Sequence, residues 1–430
     1  MPTRQTLSPH LPRLLLIVSF LLSTGLHWNK FPLEVQGYHT WRQSWTMLNA
    51  RNFARVDANI LNPRIAGVRD DGPKIHRLEF PVTQWVIGAG YRLFGEHILI
   101  ARLFIFLIGI VAVLGMYALL RALALTPLVA ATGAILMQFS TVFFFYTINP
   151  LPDFLGLAAG CWYLAFTFRY FTRPNLGDLI GAGAYLSLAT LAKLPFIILS
   201  IVGVVYFLAR LFRRRTRNRE LGRFVWLQLL FLLPAFGWYV WVIPDWEVTN
   251  ITKGIFDSHA NPAKFWHIFR WHFGFSFPRL FFNEVTLGLA ALGLLSFFRR
   301  RWRRSELNWY VWPLLAISVA FFSFEYYAID AVHDYYLLPL LPWMYILVAL
   351  GVALIRTGLG RWSWPLLLVL VAVSINVSFH TGKGRWDIQW SYCNEDLLVH
   401  REALRQVVPQ DEEVIMLLTP TLAIFPYAIG

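Results

Sequence analysis

The sequence has few charged residues, few acids and only two cysteines. Charged side chains make up 14% of the 430 residues, against about 25% in a typical soluble domain, and this excludes a soluble enzyme. Cys161 and Cys393 lie in an apolar run and a polar tail, so no internal disulfide framework is predicted. The sequence also has no GxxxxGK[ST] phosphate loop, no GxSxG turn and no HExxH zinc motif, which excludes the commonest ATPase, hydrolase and zinc-protease signatures.

Long apolar runs and aromatic residues are abundant instead. Hydrophobic residues make up 57% of the chain, and 19 Trp and 17 Tyr are present, as expected where these rings collect at membrane interfaces. Runs near the length of a spanning helix predict an all-α polytopic membrane protein with about 11 transmembrane helices. They lie at 11–28, 99–120, 128–146, 154–171, 179–191, 196–212, 224–243, 285–298, 309–324, 336–355 and 364–378. We interpret the first as an uncleaved anchor.

Basic residues predict the orientation of these spans. Arginine clusters at 210–223 and 299–304 fall in loops of the same parity, whereas the opposite short loops at 149–153 and 325–335 have no Lys or Arg. By the positive-inside rule the N-terminus is cytoplasmic and the C-terminus is periplasmic, in a bacterial inner membrane. The net charge of +14 is thereby attributed to topology, and no nucleic-acid partner is predicted.

The same topology predicts the domain organisation. Residues 1–379 form a transmembrane module with two large periplasmic loops, at 29–97 and 244–282. The first loop contains two amphipathic segments, 40–56 and 81–94, which we predict to be helices lying on the membrane surface. Residues 380–430 form a periplasmic tail that resembles the start of a small soluble cap, with strand and turn at 409–428.

Ionisable residues at membrane depth are costly and usually functional, and here they collect on the predicted outer face. Asp153 begins a span, Lys193 lies between two spans, and His333 and Tyr335 precede another. Each has an ordinary structural explanation: Asp153 as a helix N-cap, Lys193 as a side chain that reaches the interface, and His333 as a loop residue. Their convergence in separate short loops favours a site for an anionic lipid headgroup and for a reaction on it.

Several strings in the chain resemble one family. The pattern HxWRQ…ARNF at 39–53, followed by NPR at 62–64, EFP at 79–81, NPLPD at 149–153, AKLP at 192–195 and HDYYLLP at 333–339, resembles the GT-C glycosyltransferases. The branch that these strings resemble is the dolichyl-phosphate-mannose protein mannosyltransferase-like, RgtA/B/C/D-like group. The first-loop string is the most specific of these. The later strings are weak alone and support the resemblance only by their order along the chain.

The resemblance implies an inverting transferase that takes a sugar from a polyprenyl-phosphate donor on the outer face and gives it to a lipid, glycan or protein hydroxyl. Such a reaction needs a carboxylate general base for the acceptor and cations around the departing phosphate. The resemblance assigns donor-phosphate or substrate binding to the following residues: His39, Arg42, Gln43, Arg64, Asp153, Lys193, His333 and Tyr335.

The chain departs from the family's pattern at positions that would supply the general base or bind the donor phosphate. Trp45 occupies the Asp position of WRQxD, Ala66 stands where relatives have Asp after PRI, and Phe80 stands where relatives with KPP have Lys. Glu79 is the first candidate base, because the matching Glu in relatives lies at the entrance of the site. The further candidates are Asp70, Asp71 and Glu34. Some relatives bind a divalent metal through this Glu, so a metal is allowed here but is not predicted.

Two alternatives from other classes stay open. A transporter or flippase for a lipid-linked saccharide would share the aromatic, cationic cavity and would need no base. An inactive GT-C-like scaffold subunit would be consistent with the departures at Trp45 and Ala66. Loss of the carboxylate of the base separates both from a transferase, because only a transferase depends on it.

Overall fold

The computed structural model of the chain describes residues 10–35, 37–65, 74–212, 218–246, 261–296, 306–330 and 333–386. The described chain is almost entirely helical. The α-helices, numbered in chain order, are α1 Leu11–His27, α2 Thr40–Arg55, α3 Val82–Phe94, α4 Ile98–Ala122, α5 Pro127–Gln138, α6 Thr141–Tyr146, α7 Asp153–Thr172, α8 Leu176–Ala192, α9 Ile201–Phe212, α10 Asn218–Val242, α11 Pro262–Trp271, α12 Glu284–Ser296, α13 Glu306–Ile329, α14 Leu341–Leu359 and α15 Ser363–Lys383.

Shorter helical segments extend several of these helices. Leu194–Ser200 and Asp334–Leu340 are 3-10 helices that lead into α9 and α14. Ile243–Asp245, Gly360–Trp362 and Gly384–Trp386 are single 3-10 turns, and His272–Phe281 is a π-helix that continues α11. Two short strands, β1 Arg64–Ile65 and β2 Lys74–Ile75, pair antiparallel with Arg64 opposite Ile75.

Local sequence determines many of the helix ends. Ser140, Asn175 and Asn261 cap α6, α8 and α11 with side-chain oxygens that accept backbone N–H groups, as is typical of these residues at N-caps. Pro127 and Pro262 begin α5 and α11, where the absent proline N–H is not needed.

Within the described chain, six helical segments are long and apolar enough to cross a membrane, or seven if one bent pair is a single span. The bent pair is Pro262–Phe281 with Glu284–Ser296, at an angle of 102°, and α1, α5 and α8 are shorter apolar helices. A multi-pass α-helical membrane protein is therefore confirmed, whereas the number of about 11 spans stays a prediction. The run 128–146, predicted as one span, is divided into α5 and α6 at Ser140.

The main core lies between the apolar helices. Helix α5 and most of α14 are buried on all sides, and α12 packs closely along α14, where Gly293 faces the Leu347 carbonyl and Gly351 faces the Leu289 carbonyl. Small residues at such crossings let two helix backbones approach in a membrane protein. Helix α4 packs on α5, α7 packs on α4, and α8 packs on α7.

Both amphipathic segments predicted in the first loop are helices, α2 and α3, and they pack on each other. The predicted loop 244–282 contains α11 and the π-helix. The predicted strand and turn at 409–428 lie outside the described residues, and the periplasmic assignment of both loops and of the tail stays a prediction.

Candidate functional site

Four charged side chains meet at the ends of different helices and are nearly excluded from solvent. Arg42, Glu79, Asp153 and Lys193 are 5%, 7%, 1% and 7% exposed; we call them the Glu79 cluster. Isolated buried charges are too costly to persist, so the two cations and two anions must be understood as one compensated group.

Glu79 lies at the centre of this cluster. The Arg42 Nη2 group donates to Glu79 Oε1, which also accepts a 3.1 Å hydrogen bond from Gln84 Nε2. Lys193 Nζ is 3.7 Å from Glu79 Oε2. Burial alone would raise the pKa of Glu79, but the Arg42 and Lys193 cations outweigh it and lower the pKa to about 2. Glu79 is therefore an anion whose two oxygens both face cations.

Lys193 joins Glu79 to Asp153. Its Nζ is 3.9 Å from Asp153 Oδ1 and lies 5.0 Å from the centroid of the Tyr336 ring. Burial lowers the pKa of Lys193, but Asp153, Tyr336 and Glu79 together raise it above its usual value. The lysine is thus held as a cation between two carboxylates.

Proline-containing turns place these side chains. Lys193 caps the end of α8 in an extended conformation (φ −162°, ψ 119°), because Pro195 follows and disfavours continuation of the helix. Asp153 is the first residue of α7 and follows Pro150 and Pro152. The side chain of Arg102, which is fully buried, fixes this turn by donating to Asn149 Oδ1 at 3.0 Å and to the Ile148 carbonyl at 3.1 Å.

Arg102 also connects the turn to the first loop. Its Nη2 group donates to the carbonyl oxygens of Leu33 and Glu34, both at 3.0 Å. Guanidinium groups offer five donors in a rigid fork, and here those donors bind two distant chain segments together. Arg102 therefore has a structural role next to the site.

A second group of buried polar residues surrounds Asp334. Tyr146 Oη donates to Asp334 Oδ1 at 2.5 Å, and Arg385 Nη2 donates to Asp334 Oδ2 at 2.8 Å. His39 Nε2 is 3.6 Å from Asp334 Oδ1. We call His39, Tyr146, Asp334 and Arg385 the Asp334 cluster.

His39 has an unusual backbone in this cluster. It is the N-cap of α2 and has φ 60° and ψ 34°, in the left-handed region, which is uncommon for residues other than glycine. The ring of His333 stacks on it at 5.7 Å, and Tyr335 packs against it edge-on at 4.8 Å. Burial and the neighbouring His39 lower the pKa of His333 to about 4, so His333 is neutral at physiological pH.

The structure brings together most of the residues predicted from the sequence. Glu79, Arg42, Asp153 and Lys193 form one cluster, and His39, His333 and Tyr335 lie at the other. Gln43 lies beside them on α2 and donates to the Tyr38 carbonyl at 3.0 Å. Arg64 is in β1, where its Nη2 lies 3.6 Å from Asp57 Oδ2.

The structure describes one of the three remaining candidate bases. The carbonyl of Glu34 accepts from Arg102 in the segment between α1 and α2, and Asp70 and Asp71 fall in 66–73, outside the described residues. The prediction of Glu79 as the base is not tested by its position and stays a prediction.

Sequence reasoning missed four members of the site: Gln84, Tyr146, Asp334 and Arg385. Asp334 lies inside the HDYY string at 333–336, and its charge next to His333 is the signal by which the sequence could identify it. Arg385 belongs to a Gly-Arg-Trp turn directly after α15, in a segment that was assigned to the tail.

The surroundings of Glu79 do not fit a divalent metal. Arg42 and Lys193 face its two oxygens. A metal ion bound by Glu79 would need at least one of those oxygens as a ligand. In the part of the chain that the structure describes, no group of three or more His, Cys, Asp or Glu side chains could hold a metal ion.

Comparison with known proteins supports the resemblance. Residues 73–241 match the model of the dolichyl-phosphate-mannose-protein mannosyltransferase family. An uncharacterized protein of Aquifex aeolicus (strain VF5) is 24% identical over 286 residues, which is 63% of this chain. The matched region spans 52% of that relative's length, about half of it.

Solved structures show the same fold. ArnT from Cupriavidus metallidurans in the apo state has a TM-score of 0.61 at 14% identity, over 97% of this chain and 83% of that one. The same protein bound to undecaprenyl phosphate has a TM-score of 0.56 at 15% identity, over 97% and 84%. The archaeal oligosaccharyltransferase AglB from Archaeoglobus fulgidus, in complex with an inhibitory peptide and a dolichol-phosphate, has a TM-score of 0.57 at 15% identity, over 93% and 58%. The resemblance found in the sequence is thus confirmed, and the chain has the fold of the GT-C glycosyltransferases.

Proposed function

We propose that this chain is a membrane glycosyltransferase that moves a sugar from a polyprenyl-phosphate-linked donor to a hydroxyl of a lipid, glycan or protein, with inversion at the anomeric carbon. The reaction takes place on the outer, periplasmic face of a bacterial inner membrane. The observation that carries the proposal is the Glu79 cluster, in which buried cations and carboxylates from separate helix ends converge in a GT-C fold.

The cations of this cluster suit the leaving group. When the glycosidic bond to phosphate breaks, negative charge grows on the phosphate oxygen, and preorganised cations in a site of low dielectric stabilise that charge. Arg42 can contact two phosphate oxygens with its planar fork, whereas Lys193 acts as a point charge. Both are already held in place by Glu79, so binding a phosphate requires little reorganisation.

The carboxylates of the site suit the attack of the acceptor hydroxyl on the sugar. An acceptor hydroxyl must lose its proton as it attacks, and a carboxylate within hydrogen-bond reach can take it. ArnT and AglB have been solved with undecaprenyl phosphate and dolichol-phosphate, which supports a polyprenyl phosphate as the carrier here. The proposed sugar is a hexose or a pentose, and the proposed acceptor is a lipid, a glycan or a protein.

The proposal is tested by comparing the cell-envelope glycans of a deletion strain with those of the same strain carrying wild type or Arg42→Ala. We expect the loss of one sugar in the deletion strain, its return with wild type, and no return with the variant at equal membrane abundance. Unchanged glycans in the deletion strain would contradict the proposal and would favour a transporter or a scaffold.

A further inference from the structure

The three acids of the two clusters differ in how their oxygens are occupied. Glu79 Oε1 accepts from Arg42 and Gln84, and Oε2 faces Lys193 at 3.7 Å. Asp334 Oδ1 accepts from Tyr146 and lies 3.6 Å from His39, while Oδ2 accepts from Arg385. Neither carboxylate can accept a further proton without giving up a cation or a strong donor.

Asp153 is different. Its Oδ1 is 3.9 Å from Lys193 Nζ, but its Oδ2 is buried and has no hydrogen-bond partner among the described residues. Buried polar atoms are paired in the great majority of cases, and an exception calls for an explanation. An oxygen that awaits a hydroxyl donor from a substrate is one such explanation.

The position of Asp153 agrees with this role. It begins α7, on a turn that Arg102 and two prolines hold rigid, and its side chain is 1% exposed. A base has to be kept within a few tenths of an ångström of its working geometry by the residues around it. Lys193 contacts one Asp153 oxygen and leaves the other available.

We propose that Asp153 is the general base that deprotonates the acceptor hydroxyl, while Glu79 holds Arg42 and Lys193 in position for the donor phosphate. This inference rests on the proposed function. In the step, the acceptor oxygen forms a bond to the anomeric carbon and its proton passes to Asp153 Oδ2. The bond from the anomeric carbon to the phosphate oxygen breaks, and its electron pair leaves with the polyprenyl phosphate.

This assignment accounts for the departures from the family in the first loop. Trp45 and Ala66 stand at the two first-loop positions where the resemblance implies acids, and neither side chain is a carboxylate. Asp153 supplies a carboxylate from a different segment and still adjoins the Lys193 side chain that we assign to the phosphate.

The test uses the purified full chain reconstituted in lipid, with envelope membranes of the deletion strain as the source of both donor and acceptor. Initial rates of sugar transfer are measured by mass spectrometry, and binding is measured separately with undecaprenyl phosphate as the probe. We expect Asp153→Asn to lower the transfer rate about 10²–10⁴-fold, the usual contribution of a general base. Its affinity for undecaprenyl phosphate should stay equal or rise, because Arg42 and Lys193 remain and the negative charge beside Lys193 is removed.

Three further variants complete the experiment. Asp153→Glu keeps a carboxylate and is expected to retain slow transfer whose pH profile keeps the ionisation of a carboxyl group, whereas that ionisation disappears in Asp153→Asn. Glu79→Gln should weaken undecaprenyl phosphate binding. Asp178→Asn, which removes an acid paired with Arg169 outside the two clusters, should leave transfer unchanged.

Several outcomes would overturn the assignment. Transfer by Asp153→Asn above about one-tenth of the wild-type rate would do so, given the size expected for a base. So would a loss of undecaprenyl phosphate binding as large as the loss of transfer, which would make Asp153 a donor-binding residue. Absence of transfer by the wild-type protein would contradict the proposed function itself. Failure of the proposed function and failure of the Asp153 assignment are therefore distinguishable.

Discussion

Replacing Glu79 by Gln should destabilise the protein by about 3 kcal/mol at neutral pH, whatever the role of Glu79 in catalysis. The pKa of Glu79 falls from an ordinary 4.5 to about 2 through Arg42 and Lys193, and each pKa unit corresponds to about 1.4 kcal/mol. Removing one partner of a buried ion pair costs roughly 3–5 kcal/mol by experiment, since the other charge is left uncompensated. The estimate from the pKa of Glu79 and the cost measured for other buried ion pairs therefore have the same size.

The effect must depend on pH in one direction. Because the folded-state pKa of this carboxyl is depressed, its stabilisation is fully present above about pH 4.5 and disappears as the pH falls towards 2. The difference between wild type and the variant should therefore shrink in acid. Thermal unfolding in detergent, followed by the fluorescence of the 19 tryptophans, measures this difference at each pH.

The matched control is Asp330→Asn. Asp330 Oδ2 lies 3.9 Å from Lys264 Nζ, and the two side chains are 44% and 30% exposed, where ion pairs contribute only about 0–1 kcal/mol. Equal melting temperatures for Glu79→Gln and wild type at neutral pH would refute the reasoning. A difference that stayed constant down to pH 3 would refute the assignment of the effect to ionisation.

Three other perturbations test separate parts of the structure. Lys193→Met should weaken the binding of undecaprenyl phosphate about 10- to 100-fold, as loss of a charged hydrogen bond does, measured in nanodiscs; unchanged affinity would exclude Lys193 as a phosphate ligand. Gly351→Ala should destabilise by about 1–3 kcal/mol, because its new methyl group would overlap the Leu289 carbonyl, whereas Gly358→Ala, which meets open space, should leave the melting temperature unchanged or raise it. Arg102→Met should cost about 3 kcal/mol or more, since several buried carbonyl groups lose their donor; a melting temperature equal to that of wild type would contradict its structural role.

Hydropathy predicted the long helices well and their interruptions poorly. The run 99–120 corresponds to α4, Ile98–Ala122, because it contains no Ser, Thr, Asn or Asp side chain that could accept a backbone N–H and start or end a helix. The run 128–146 is broken at Ser140, whose side chain accepts the N–H of Phe143 and starts α6. A single cap of this kind barely changes a hydropathy average, although its effect on the backbone is decisive.

Three of the four members of the Glu79 cluster could be found from the sequence because each stands beside a turn signal, and Arg42 could be found because it lies in the HxWRQ string. Asp153 follows two prolines, Lys193 precedes Leu194-Pro195, and Glu79 is two residues before Pro81. An ionisable residue at the end of an apolar run is conspicuous in a chain with so few charges. What the sequence could not show was which acid meets which cation.

Arg385 shows the limit of this kind of reasoning. It meets Asp334, 51 positions earlier, and its guanidinium lies over the Tyr38 and Tyr146 rings at 4.6 and 5.6 Å. Only the packing of α15 against the helices before it brings these residues together. The Arg385 carbonyl also accepts the N–H of Tyr38 at 3.0 Å, so the residue is held by backbone as well as side-chain contacts.

The two clusters are coupled because they share chain segments. His39 and Arg42 lie three residues apart at the start of α2, and the first meets Asp334 while the second meets Glu79. Tyr335 packs on His39, and its neighbour Tyr336 lies under Lys193. A shift of α2 cannot move one cluster without moving the other, since one helical turn carries both contacts. The left-handed backbone of His39 sets the direction in which α2 begins. It thereby also sets the direction from which Arg42 approaches Glu79.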